Sequence, residues 1–78
     1  MQTTGQRIKD ARVGKAMTQQ ELSQALAVMG QWADQSYISL LENDERRPSL
    51  DMVLALSAAL GVSVEHLTEP LQVERNAN

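Results

Sequence analysis

The side chains best suited to recognise another molecule are concentrated between residues 35 and 40, where the chain reads QSYISL. A Gln amide can bond adenine through two atoms, a Ser hydroxyl can bond any base edge, and a Leu can touch a thymine methyl. These residue types predict a surface that reads base edges in the DNA major groove, formed by Gln35, Ser36, Ser39 and Leu40. The alternative is an ordinary polar helix face, with Leu40 packed on the preceding turn.

Other residues near this segment could contact the DNA backbone. Gln19 begins a predicted helix, where backbone N–H groups and the helix dipole favour an anion. Arg46 lies in a polar loop and is either a phosphate contact or a solvated cation. Tyr37 either bonds a phosphate through its hydroxyl or packs at the edge of the core.

Helices must position these side chains, because alternation of β-branched residues is absent and Gly and Pro fall between helical segments. The strongest local signal is the capping box formed by Thr18 and Glu21. An apolar stripe at helical spacing follows it. The sequence predicts five helices and no strand, with approximate bounds Gly5–Lys15, Gln19–Met29, Gln35–Asn43, Leu50–Leu60 and Val64–Leu67.

The fourth predicted helix is the most apolar segment of the chain. Ser49 provides its N-cap, and Gly61 is a natural C-terminal stop. Because apolar residues lie nearly all round this helix, we expect it to be the most buried of the five.

Composition indicates a single small domain. The 78 residues include no Cys, carry a net charge of −3 and contain no apolar run long enough to cross a membrane. We therefore expect a soluble, cytoplasmic protein. The first 20 residues carry a local charge of +3, whereas residues 21–45 carry −5. This predicts weak non-specific DNA binding and specific binding that falls quickly as salt rises.

The sequence shows no catalytic constellation. There is no nucleophile motif, no phosphate loop and no pair of carboxylates in apolar surroundings. His66 is a single histidine with no nearby Cys, so we expect no metal site and no cofactor. We therefore do not expect an enzyme.

Residues 5 to about 68 resemble the phage Cro/CI-type (XRE) helix-turn-helix family. The matching segments are GQRIKDAR, MTQQELSQAL, SYISLLEN and RRPSLDMVLALSAALGVSVEHL, of which the last is the most specific. The resemblance implies an all-α, compact, five-helix lambda-repressor-like domain. It also implies that the second helix crosses the DNA backbone and the third enters the major groove.

The resemblance assigns further roles by position. Gln19 matches a residue that bonds a DNA phosphate, and Asn43 matches one that touches the backbone, although Asn43 could also cap the third helix. Arg12 and Glu42 match positions that form a buried ion pair in the family. Both also lie on stripes that should face the core. We expect this pair to tie the first helix to the third.

The chain departs from the family pattern at three places. The connection from Ala27 to Asp34 is about five residues longer than the usual tight turn. The family's N-G-K after the third helix is replaced by Asn-Asp-Glu at residues 43–45. Leu40 stands where a polar base-reading residue is common. In the long turn, we expect Trp32 to fold back beside Met29; the alternatives are contact with a partner chain or the DNA backbone.

These observations predict a transcriptional regulator, expected to be a repressor, that binds a palindromic double-stranded DNA operator. We expect residues 1–69 to form the DNA-binding domain and residues 70–78 a tail that is partly disordered or contributes to dimerisation. A homodimer is expected, with candidate contacts at Val62, Val64, Leu67, Leu71 and Val73. The alternative function is a protein-interaction module of the antitoxin or anti-repressor type, which the negative net charge and the acids after the third helix suggest.

Overall fold

A computed structural model describes residues 2–69, and these residues form five helices and no strand. The helices are α1 (Thr4–Gly14), α2 (Gln19–Val28), α3 (Gln35–Glu42), α4 (Leu50–Leu60) and α5 (64–69). The predicted all-α class and the helix order are confirmed, and the ends of α1 to α4 differ from the predicted ones by one residue at most.

Side-chain caps define where all five helices begin, including α5, at whose start the Ser63 hydroxyl accepts the backbone N–H of His66 at 3.0 Å. The Thr18 hydroxyl accepts the backbone N–H of Glu21, and the Glu21 carboxylate accepts the backbone N–H of Thr18. Thr3 and Gln6 form an equivalent box at the start of α1. Asp34 and Ser49 cap α3 and α4. Because such caps depend on residues only three positions apart, they can be predicted from the sequence.

The core lies among α1 to α4, where α3 and α4 each contact both α1 and α2. It contains only aliphatic side chains at its centre. The largest fully buried residues are Ile8, Leu22, Leu26, Ile38, Leu41, Leu56 and Leu67. The core therefore joins all five helices and fixes the orientation of α3 relative to α2.

Helix α4 is less enclosed than its composition suggested. Six of its residues are buried, but Leu50 is 69% exposed and Leu54 is 50% exposed. These two residues lie four positions apart, so they share one side of the helix. The prediction that α4 is the most buried helix is confirmed for the described residues, since the other helices have three buried residues at most, but the side that carries Leu50 and Leu54 is exposed.

The N-terminus of α1 lies very close to the C-terminal end of α3. A Cβ built on Gly5 would stand 2.4 Å from the Leu41 carbonyl oxygen and 2.6 Å from that of Glu42. Only glycine permits this approach without a backbone shift. The positive end of the α1 dipole therefore faces the negative end of α3.

Asp44 completes this junction. Its backbone has a positive φ of 61°, and its carboxylate accepts the backbone N–H of Gly5 at 3.0 Å and the hydroxyl of Thr3. An Asp tolerates this left-handed conformation better than most residues. One of the two acids that replace the family's Gly-Lys is thus directed at the first turn of α1.

We expect Asp44→Ala to destabilise the fold by about 1–2 kcal/mol, because it removes an N-terminal cap interaction and leaves Ala in a left-handed conformation. Urea unfolding followed by circular dichroism measures this change. Glu45→Ala is the matched control, since Glu45 is the exposed acid next to it. Equal stability of the two variants would contradict the capping role.

Helix α5 connects the end of the described chain to α1. The Thr4 hydroxyl donates to the Leu67 carbonyl at 2.9 Å, and the Arg7 guanidinium donates to the His66 carbonyl at 3.0 Å. Leu67 is fully buried, so its predicted role as a dimer contact is wrong. The apolar side chains of α5 pack against the core of the monomer instead.

The remaining dimer candidates divide into two groups. Val62 and Val64 are half-buried and pack against the core. Leu71, Val73 and the predicted tail at 70–78 lie outside the described residues.

Candidate nucleic-acid interface

The start of α2 and the first two turns of α3 border an open concavity of about 380 Å³. Four predicted site residues line it: Gln19, Gln35, Ser36 and Ser39. Gln35 and Ser36 are exposed, whereas Gln19 and Ser39 are half-buried. The structure therefore brings together polar side chains from two helices that the sequence separates by 16 residues.

The other predicted site residues lie on α3 and in the loop after it, and they do not line this concavity. Tyr37 is half-buried and packs against the core, which was one of its two interpretations. Leu40 is half-buried. Asn43 is the C-cap of α3 and is exposed, as is Arg46.

Arg12 and Glu42 form an ion pair beneath this surface. The Arg12 Nε lies 2.6 Å from Glu42 Oε2, and its Nη2 lies 3.2 Å from Oε1. The Glu42 side chain is only 3% exposed. The remaining Arg12 nitrogen, Nη1, donates to the Met17 carbonyl at 2.8 Å. The two bonds to Glu42 join α1 to α3, and the bond to Met17 joins both to the α1–α2 turn.

Gln19 connects the ion pair to the concavity. Its Nε2 donates to Glu42 Oε1 at 3.0 Å. Because an ion-paired carboxylate only accepts hydrogen bonds, this contact fixes which end of the Gln19 amide points inward. The side-chain carbonyl and one N–H remain for the concavity. Sequence reasoning missed this bond, and nothing in the local pattern signals it.

Comparison with known proteins agrees with this geometry. A family model described as helix-turn-helix matches residues 8–67. The chain belongs to the Cro/CI-type helix-turn-helix family. The fold is also similar to a solved structure of the P22 c2 repressor protein in complex with a synthetic operator, with a TM-score of 0.77 and 30% identity. That match covers 90% of this chain and 98% of the other. No curated protein sequence matches.

The connection between α2 and α3 in this helix-turn-helix protein exposes its aromatic residue. Trp32 is 81% exposed, so the expectation that it folds back beside Met29 is wrong. Ala33 is buried instead, and Asp34 caps α3. Once those two positions are fixed, the preceding indole is left on the outside of the turn.

The basic residues of the helix-turn-helix protein are largely engaged with its own chain. Arg12 holds Glu42, Arg7 lies 3.5 Å from the Glu69 carboxylate, and the Lys15 ammonium donates to the Ala59 carbonyl at 3.3 Å. No Lys or Arg occurs between residues 16 and 45. Arg7, Arg12 and Lys15, three of the four cations in the first 20 residues, therefore do not form a free basic surface beside the concavity.

Within residues 2–69, His, Asp and Glu do not form a cluster that could hold a metal ion. None of the helices over the same residues has the length and apolar content needed to span a membrane.

Proposed function

We propose that this protein binds a specific double-stranded DNA sequence as a transcriptional repressor, with α3 in the major groove. The observation that carries this proposal is the concavity in which exposed Gln35 and Ser36 lie beside Gln19. Membership of the helix-turn-helix family and likeness to a repressor–operator complex support it. In this arrangement α2 crosses the DNA backbone while α3 presents its polar face to the bases.

The proposed contacts divide by chemistry. Gln35, Ser36 and Ser39 would bond base edges, and Leu40 would approach a thymine methyl through its exposed part. The DNA backbone contacts are Gln19 and Asn43, with Arg46 as a cation and the Tyr37 hydroxyl as a neutral donor. Arg12 and Glu42 touch no DNA in this scheme; they hold α3 at a fixed angle to α1.

A single module of this size contacts only a few base pairs. We therefore propose that two copies bind a palindromic site, with half-sites about 34 Å apart or a multiple of it. The protein would act in the cytoplasm, without a cofactor and without enzymatic activity.

Selection of bound sequences from a random duplex library tests this function. We expect enrichment of one roughly palindromic sequence, with affinity that falls as salt rises. A library that shows no enrichment at low and moderate salt would overturn the proposal.

Gln35→Ala gives a residue-level test. We expect loss of discrimination worth about 1–3 kcal/mol at one base pair of each half-site, because a bidentate contact is removed. Gel-shift titration against operators changed at single positions measures it. Gln24→Ala is the control, since Gln24 is an exposed amide on α2 that does not line the concavity. An equal effect of the two variants would contradict base reading by Gln35.

A second candidate function is a protein-interaction module. The observation that favours it is the engagement of Arg7, Arg12 and Lys15 within the chain, together with the net charge of −3. This function predicts neither an enriched palindrome nor a marked salt dependence, so the same selection distinguishes the two candidates.

A further inference from the structure

Three large apolar side chains protrude around the end of α2. Val28 is 88% exposed, Trp32 is 81% exposed and Met29 is 44% exposed. Residues 22–33 also contain no charged side chain. Apolar surface that is exposed in this way commonly marks a contact site.

The turn that carries Trp32 is fixed on both sides of the indole. The N–H of Gln31 donates to the Leu26 carbonyl at 2.9 Å, and Gly30 supplies a positive φ of 82° that this path needs. On the other side, Ala33 is 2% exposed and the Asp34 carboxylate accepts the backbone N–H of Tyr37 at 2.8 Å. Because the backbone is already ordered, binding through Trp32 would cost little conformational entropy.

The position of Trp32 relates it to the candidate interface. Trp32 lies two residues before the N-cap of α3, so their Cα atoms are at most about 7 Å apart. Gln35 and Ser36, which line the concavity, follow that cap directly. Trp32 is therefore near in sequence and in space to the end of α3 on which the proposed duplex would sit.

The exposed area argues against a separate protein partner. A fully exposed Trp offers at most about 250 Å², and the neighbouring Val28 and Met29 are smaller. A stable protein interface needs roughly 800 Å² on each partner. The three side chains are too few for an interface of their own, but they suffice to extend the proposed DNA interface.

We propose that Trp32 extends the DNA interface by packing its indole ring on a deoxyribose while its N–H donates to a phosphate oxygen. This inference rests on the proposed function. Sugar and phosphate are the same at every base pair, so the contact strengthens binding without changing sequence preference. It involves no cation and so leaves the salt dependence unchanged.

The chain has a single Trp, so its fluorescence reports on this residue alone. With the operator chosen by the selection above, we expect acrylamide quenching of Trp32 to fall by about half on DNA binding, because one face of the ring is covered. We expect Trp32→Ala to weaken binding roughly tenfold through the lost apolar contact. The loss should be equal for operator and unrelated duplex, at an unchanged salt slope. Trp32→Phe keeps a ring but loses the N–H, so its DNA affinity should lie between those of the wild type and Trp32→Ala.

Val13→Ala is the matched control, because Val13 is an exposed apolar residue on α1. Unchanged quenching in the complex together with wild-type affinity of Trp32→Ala overturns this inference alone. An emission shift that depends on protein concentration without DNA also overturns it, since a second copy would then cover the indole. A wild-type protein that selects no sequence overturns both this inference and the proposed function.

Discussion

Arg12→Ala should destabilise the fold by about 3 kcal/mol or more, which is the largest effect we expect from a single charged residue. The substitution leaves the Glu42 carboxylate, only 3% exposed on its side chain, with Gln19 as its remaining side-chain donor. It also removes the donor to the Met17 carbonyl. A core of this size rarely supplies more than about 3–5 kcal/mol, so most of the stability would be lost.

Thermal and urea unfolding measure this loss. Arg46→Ala is the control, because Arg46 is exposed and should change stability little. The double substitution Arg12→Met with Glu42→Leu should recover much of the stability, since replacing both members of a buried pair avoids an uncompensated charge. An unchanged melting temperature for Arg12→Ala would remove the basis for treating this pair as a structural tie.

Gly5→Ala should destabilise the fold by about 3 kcal/mol through overpacking. The added methyl would meet two backbone carbonyl oxygens, of Leu41 and Glu42, and the Asp44 carboxylate at 2.7 Å. Backbone atoms cannot rotate away as a flexible side chain can. The first helix would have to move off the end of α3, which would also weaken the bond from Gly5 N–H to Asp44.

Gly14→Ala provides a matched control on the same helix. A Cβ at Gly14 meets nothing within 4 Å. Its stability should stay level or rise by up to about 1 kcal/mol, because Ala restricts the unfolded chain. Unfolding of both variants in urea gives the comparison. If Gly5→Ala proved as stable as Gly14→Ala, the close approach of α1 and α3 would be wrong.

The local features of the fold could be predicted from the sequence. The capping boxes at Thr3 and Thr18 use residues three positions apart, and Gly61 ends α4 in a left-handed conformation, as its position indicated. The predicted apolar stripe of α2 comprised Leu22, Ala25, Leu26 and Met29; both Leu residues are buried and Ala25 is half-buried, but Met29 is 44% exposed, so the stripe was wrong at its C-terminal end. Such signals depend on neighbours along the chain, so folding does not alter them.

Features that depend on which helix lies opposite could not be predicted in the same way. Leu54 and Leu56 are the same residue type on one helix, yet Leu56 is fully buried and Leu54 is half exposed. Trp32 was expected to be covered, but the burial of Ala33 turned it outward. The bond from Gln19 to Glu42 joins residues 23 positions apart, and no local pattern encodes it.

The contacts between α1 and α5 have a consequence for the order of events during synthesis. Thr4 and Leu67 are 63 positions apart, and Leu67 is part of the same buried core as Ile8. A nascent chain that has emerged only as far as α4 lacks the side chain that closes this core. Final packing must therefore wait until nearly the whole described stretch has left the ribosome, after which the domain forms as one cooperative unit.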